Sequence, residues 1–174
     1  MTSGNVPSLN DFISKFVNPD INIEDPENVR YIIDKFFLIS LIERDDVDAR
    51  FTRMLMDLFA FVLERKNINM ITPVDVLIEL ENEKKKWVLD KTFIKLLNSF
   101  ASIKEVDPDK DLSARDSVIK LAEKYSQQAI QCVILTTEKD LYCDVHDDLI
   151  KAVTPKEILL IIFLVYKVFP RELK

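Results

Sequence analysis

Four acidic residues stand where short apolar runs end or helices begin: Asp34 after YII, Glu79 in TPVDVLIEL, Asp116 in SARDSV and Glu138 in VILTTEKDL. Asp and Glu are depleted in strands and costly to bury unpaired, so most apolar runs do not end this way. Carboxylates gathered at the carboxyl ends of parallel strands repel one another and stay ionised only when a cation joins them. This pattern points first to a divalent-metal site and, beyond that, to metal-assisted cleavage of a phosphodiester.

The elements that must position these acids follow from the apolar pattern. VRYII (29–33) is a continuous apolar run of strand type, and INMIT (68–72), IKEV (103–106) and AIQCVILTT (129–137) are three more. KAV (151–153) adds a short fifth. Between them lie helical stretches. DDVDARFTRMLMDLFAFVLERKN places Val47, Phe51, Leu55, Leu58, Phe59 and Val62 on one face, with a polar face opposite. Thr72-Pro73 reads as an N-cap and first helical residue before VDVLIELENEKKKW, Ser113 caps ARDSVIKLAEKYSQQ, and Thr154-Pro155 opens KEILLIIFLVYKVF. Asp75 and Asp116, each three residues after a cap, are placed to complete capping boxes. Asp75 is assigned to that role alone, whereas Asp116 can serve both as cap and as ligand. Asp34 can likewise open a helix, where a negative charge is favoured.

Strand and helix alternating at this spacing predict a three-layer α/β/α sandwich around a mainly parallel sheet of four to five short strands. Residues 1–28 read as an accessory segment and 29–174 as the domain proper. In the last helix Ile158, Leu159, Ile161, Ile162, Leu164 and Val165 cover nearly every side, so it should be covered by the sheet and by a further element or a second subunit.

The 174 residues are enough for one domain with a sizeable core, and 48% hydrophobic with 31% charged residues is a globular balance. The only glycine is Gly4. Phosphate-cradling P-loops, dinucleotide GxGxxG turns and GxSxG nucleophile elbows all need glycine in fixed places, so those enzyme classes are excluded. Two cysteines and one histidine leave no Cys/His zinc site. Cys132 reads as a core residue and His146, in DVHDD, as a surface one. The start lacks a secretory pattern, the longest apolar run (158–166) is too short to span a bilayer, and a cytoplasmic location is expected. A net charge of −6 opposes broad electrostatic binding of nucleic acid but leaves room for a small cation-bridged site.

The ordered set YIIDKFFLISLI, NMITPVDVLIEL, SARDSVIKLAEKY, VILTTEKDL and VTPKEIL resembles the PIN-domain family over roughly residues 29–165. The resemblance implies Mg²⁺ or Mn²⁺ held by Asp34, Glu79, Asp116 and Glu138, with Asp140 as auxiliary or substitute. It places Thr136 behind them as an orienting hydroxyl. It implies an RNA endonuclease, such as the toxin of a toxin–antitoxin pair with an inhibitory protein partner, or an RNA-processing factor. A non-catalytic PIN-like module that binds protein or RNA is the alternative. There are two departures from the family pattern: Lys35 and Phe36 replace a small hydroxyl residue followed by Asn or Ser, and Glu138 replaces Asp. Lys35 either points to substrate phosphate and solvent, or pairs with Asp34 or Asp116 and takes the cation's place. A basic cluster, Lys84, Lys85 and Lys86 beside Trp87, is a candidate RNA contact, with a solvated helix end as the plainer reading. A homodimer through the C-terminal helix is a further expectation.

Overall fold

In a computed structural model the chain is described over residues 23–43, 47–68, 70–83, 101–104 and 113–167. Strand β1 (Val29–Ile33) leads directly into helix α1 (Lys35–Glu43) and then α2 (Val47–Arg65). Strand β2 (Met70–Pro73), helix α3 (Val74–Glu83) and strand β3 (Ala101–Lys104) follow. Helix α4 (Ala114–Ser126), strand β4 (Gln131–Leu135), a 3₁₀ turn (Lys139–Tyr142), strand β5 (Ile150–Val153) and helix α5 (Pro155–Leu160) complete the order. Five strands form one sheet in the order β3-β2-β1-β4-β5, and each described pairing is parallel. Strands β1 and β4 are buried almost throughout, which is why both read as continuous apolar runs rather than as alternating ones.

The chain is an α/β fold with a parallel sheet, as the alternation of runs predicts. Helix α4 lies across β1, β2, β4 and β5, and α2 packs on α1 and α5. The inner face of α2 carries Leu55, Met56, Phe59, Val62 and Leu63. Phe59 meets the edge of the Tyr31 ring, with centroids 4.9 Å apart and planes at 85°, a favourable aromatic geometry. Met54 and Phe61 point the other way and remain 64% and 53% exposed.

Two sequence expectations are corrected. Thr72 and Pro73 do not cap a helix: both belong to β2, paired with Ile103 and Lys104 of β3, and α3 starts only at Val74. Strand pairing wins here because Thr72 is buried and its hydroxyl donates to the Ile33 carbonyl at 3.1 Å. Proline at the last strand position removes only one ladder donor. Asp75, expected as the capping-box partner of Thr72, instead accepts from the Ser117 hydroxyl at 2.7 Å.

The last helix is also not one uniform α-helix. After Leu160 the chain widens into a π turn (Ile161–Val165) closed by the Tyr166 amide on the Ile161 carbonyl at 3.2 Å. The wider turn brings Tyr166 against Tyr31, hydroxyl to hydroxyl at 2.8 Å, while the Tyr166 hydroxyl also lies 3.0 Å from the Pro26 carbonyl. Ile158, Leu160, Ile161 and Ile162 are buried by the chain's own elements, whereas Leu164 is 49% exposed. Ser113 caps α4 as expected, accepting from the Asp116 amide at 3.1 Å. With no glycine among the described residues, left-handed backbone there falls on Asn67, Ala129 and Lys167.

Residues 23–28 of the accessory segment touch the domain directly. Ile23 packs on the core and the Glu24 amide donates to the Gln131 side chain at 3.3 Å.

Candidate functional site

The strand order turns back between β1 and β4, and open α/β sheets bind ligands in the crevice at that switch, beyond the carboxyl ends of the strands. Asp34 directly follows β1 and Thr136 directly follows β4, and the Asp34 amide donates to the Leu135 carbonyl at 3.1 Å. The Asp34 carboxylate is 1% exposed. One oxygen caps α1 by accepting from the Phe37 amide at 2.8 Å, and the other accepts from the Tyr142 hydroxyl at 3.1 Å. The Thr136 hydroxyl also bonds this carboxylate, and in turn accepts from the Glu138 amide at 2.9 Å.

Burial pushes the Asp34 carboxyl above the usual carboxylate range, and the charge of nearby Glu138 adds to the rise. The bonds from Thr136, Phe37 and Tyr142 oppose it without cancelling it. The folded chain therefore holds this proton more tightly than the unfolded chain. The stability tied to it is present below the ordinary carboxylate pKa and is lost as pH rises through the raised value. Asparagine keeps the oxygen that caps Phe37 and carries no charge. Its amide nitrogen, however, cannot accept from the Tyr142 hydroxyl as the carboxylate oxygen does. Relative to wild type, Asp34→Asn should therefore gain stability between acid and pH 7, because the variant has no charge to bury as pH rises. Urea denaturation in acid and at pH 7 checks this, and a difference that does not shift toward the Asn variant at pH 7 would contradict the account.

Glu79, on α3, has both oxygens engaged. Oε1 meets the Lys35 ammonium at 2.5 Å and Oε2 accepts from the Ala114 amide, at the start of α4, at 2.6 Å. Burial alone drives its carboxyl upward, but the Lys35 ammonium and the Ala114 amide together outweigh that and hold it below the usual range. Lys35 is 9% exposed. Its ammonium is therefore neither on Asp34 or Asp116 nor turned to solvent, the arrangements the sequence suggests.

Asp116 lies two residues beyond that helix start with its side chain 54% exposed, paired to Arg115 at 3.0 Å. Arg115 reaches further, donating to the Leu141 carbonyl at 2.8 Å and to both oxygens of Asp144 at 2.6 and 2.8 Å. The structure thus brings Asp34, Thr136 and Glu138 together and links Glu79 to Lys35. It holds Asp116 in a surface network and leaves Asp140 exposed on the 3₁₀ turn. A cavity of about 530 Å³ lies beside β5, lined by Asp140, Tyr142, His146 and Asp148 among others, but not by Asp34 or Glu79. Lys84, Lys85, Lys86 and Trp87 fall outside the described residues.

The expected hard-oxygen donor set suits Mg²⁺ or Mn²⁺ chemically. As placed, these residues do not fit such an ion. Asp34 is sealed by three donors, Glu79 is taken by Lys35 and Ala114, and Asp116 is drawn to Arg115. Among the described residues no group of three or more His, Cys, Asp and Glu side chains could hold a metal. Tyr142 and Arg115 are the participants that sequence reasoning passes over; the only linear signal is that Arg115 adjoins Asp116 and Tyr142 lies two residues after Asp140.

Elsewhere the sequence reading is plain. Cys132 is buried with its thiol pushed up to about 12 by burial, and His146 is exposed. No described helix is long and apolar enough to cross a membrane. Comparison with family models, with curated proteins and with solved structures returns no match to this chain.

Proposed function

We propose that this chain is a PIN-like domain of three α/β/α layers whose carboxylate crevice is closed by its own side chains, and that it acts as a non-catalytic, cytoplasmic protein-interaction module. The observation that carries this reading is the sealing of Asp34, 1% exposed and bonded on both oxygens by Phe37, Tyr142 and Thr136. An ion would have to displace those donors before it could be bound. A protein partner is favoured over RNA by the net charge of −6 and by Met54 and Phe61, seven positions apart on the outer face of α2.

Calorimetric titration with Mn²⁺ tests it. The wild-type chain should give no binding heat up to about millimolar ion, well above the range in which a built carboxylate site saturates. Saturable binding that disappears in Asp34→Asn would sink the reading.

The second reading is a Mg²⁺- or Mn²⁺-dependent RNA endonuclease using Asp34, Glu79, Asp116 and Glu138, with Asp140 as auxiliary and an inhibitory protein partner. One observation favours it: Glu138 lies close enough to Asp34, at the switch of the sheet, for its charge to be felt there. Cleavage of single-stranded RNA by the purified chain in Mn²⁺, lost on Asp34→Asn, would establish it.

A further inference from the structure

We propose that the outer edge of β5 is a docking groove for an extended, Lys- and Arg-rich segment of a partner protein, which joins the sheet as a further strand. Asp34 and Glu79 do not line this groove, so it goes beyond the reading above and holds whether or not the crevice is catalytic.

Backbone makes the case first. β5 ends the sheet order and pairs with β4 alone among the described strands. The Cys132 amide donates to the Leu149 carbonyl at 2.8 Å, and the Thr136 amide to the Val153 carbonyl at 3.0 Å. Backbone groups along a strand alternate sides, so Leu149, Lys151 and Val153 turn theirs to β4 and Ile150 and Ala152 turn theirs away. The Ile150 amide is closed by the Asp147 carbonyl at 3.0 Å. The Ile150 carbonyl and both backbone groups of Ala152 remain facing outward, with no bond to them among the described residues. That is the template by which an extended peptide adds to a sheet.

Space makes the case second. The cavity of about 530 Å³ is lined by all four residues of β5 and by the connection before it, and by no residue of β4, α4 or α5. It therefore runs along the strand on the side away from the sheet. Its volume is in the range that holds a bound ligand. Ala152, half-buried, has little side chain to obstruct a segment laid against its backbone.

Charge selects the occupant. Asp140, Asp147 and Asp148 line the cavity, and none is in an ion pair among the described residues. Asp147 accepts from neutral donors, the Ser126 hydroxyl at 2.5 Å and the Leu149 amide at 2.9 Å. Of the two lysines there, Lys139 is bound to Glu157 at 3.0 Å, which sets Lys151 alone against three carboxylates. A groove of that balance attracts a basic segment. It disfavours a second copy of this chain, whose β5 would bring the same acids and a net charge of −6.

Panning a display library of random linear peptides on the full chain at low salt tests the proposal. Enriched peptides should carry more Lys and Arg than Asp and Glu, and few prolines. The most enriched one, synthesised and titrated by fluorescence anisotropy, should lose about tenfold in affinity to Ala152→Pro, which removes the outward donor and no bond to β4. Ala152→Ser keeps that donor and should bind as wild type does. Asp140→Asn with Asp148→Asn should weaken binding and flatten its dependence on salt. Where Ala152→Pro does not fold, N-methylation of each peptide amide in turn replaces it, and at least one methyl group should abolish binding to wild type. A library that enriches no basic peptide overturns the proposal. So does binding that Ala152→Pro or the paired Asn substitutions leave intact, binding lost equally in Ala152→Ser, or binding indifferent to every N-methylation. Any of these beside a wild type silent to Mn²⁺ leaves the non-catalytic reading standing, whereas Mn²⁺ binding that vanishes in Asp34→Asn defeats that reading and not the groove.

Discussion

Replacing Glu79 by leucine should cost the domain about 3 kcal/mol at pH 7, toward the lower end of what breaking a buried ion pair costs. Two contacts are lost at once. The Lys35 ammonium, 2.5 Å from Glu79 with its side chain 11% exposed, loses its bond to this carboxylate. The Ala114 amide, 2.6 Å from the other oxygen, loses its acceptor. The Glu79 side chain is 31% exposed, so some of the loss is screened by water, which sets the figure below the full range. Two further measurements separate the pair from simple packing. Adding Lys35→Leu to Glu79→Leu should recover part of the loss, because the ammonium is gone and only the Ala114 amide still lacks its Glu79 acceptor. The acid limb of stability should also flatten. The lowered Glu79 carboxyl contributes stability above its ordinary pKa that disappears as pH falls through the lowered value, and the variant has none to lose. A double variant no more stable than Glu79→Leu alone would mean the pair is incidental.

Phe59→Ala should cost about 3–5 kcal/mol, the usual range for emptying a phenylalanine site in a core. Phe59 is fully buried on the inner face of α2 and lies edge-on to Tyr31 at 4.9 Å, with Tyr166 at 6.5 Å. Its ring supports the two tyrosines whose hydroxyls bond to each other and reach the Pro26 carbonyl. The loss should therefore exceed that of a leucine on the same helix, such as Leu55, whose removal disturbs no polar chain. Urea denaturation measures it. An unchanged slope with a shifted midpoint would place the effect in the folded state.

What the sequence makes legible is whatever depends on near neighbours. Strand β1 occupies the expected residues, and β4 and β5 lie within or beside theirs, because runs such as VRYII and QCVIL are buried almost throughout and each is followed by a polar residue, Asp34 or Thr136. Ser113 is legible as a cap because its bond closes on the Asp116 amide three residues away. Thr72 is misread for the complementary reason: its hydroxyl bonds to Ile33, and that partner is visible only once β1 and β2 are side by side. At the site, Asp34, Thr136 and Glu138 are found from their places at strand ends. The partners that decide their chemistry are not. Tyr142 meets Asp34 across 108 positions, and Lys35 meets Glu79 across 44. Long side chains choose such partners by reach and solvation, and neither leaves a spacing to recognise.

The absence of hairpin pairings in the described sheet bears on how the chain assembles in time. The central ladder joins Val29 to Gln131 and Ile33 to Leu135, pairs about a hundred positions apart, and folding slows as contacts become less local. During synthesis β1 is complete long before β4 exists. Until then its apolar faces and one unpaired edge stand open, the kind of surface that associates wrongly when left waiting. Helix α2, which follows close behind and sets Phe59 against Tyr31, is the native cover available early. The same ring that anchors the finished core thus also shields an unfinished one.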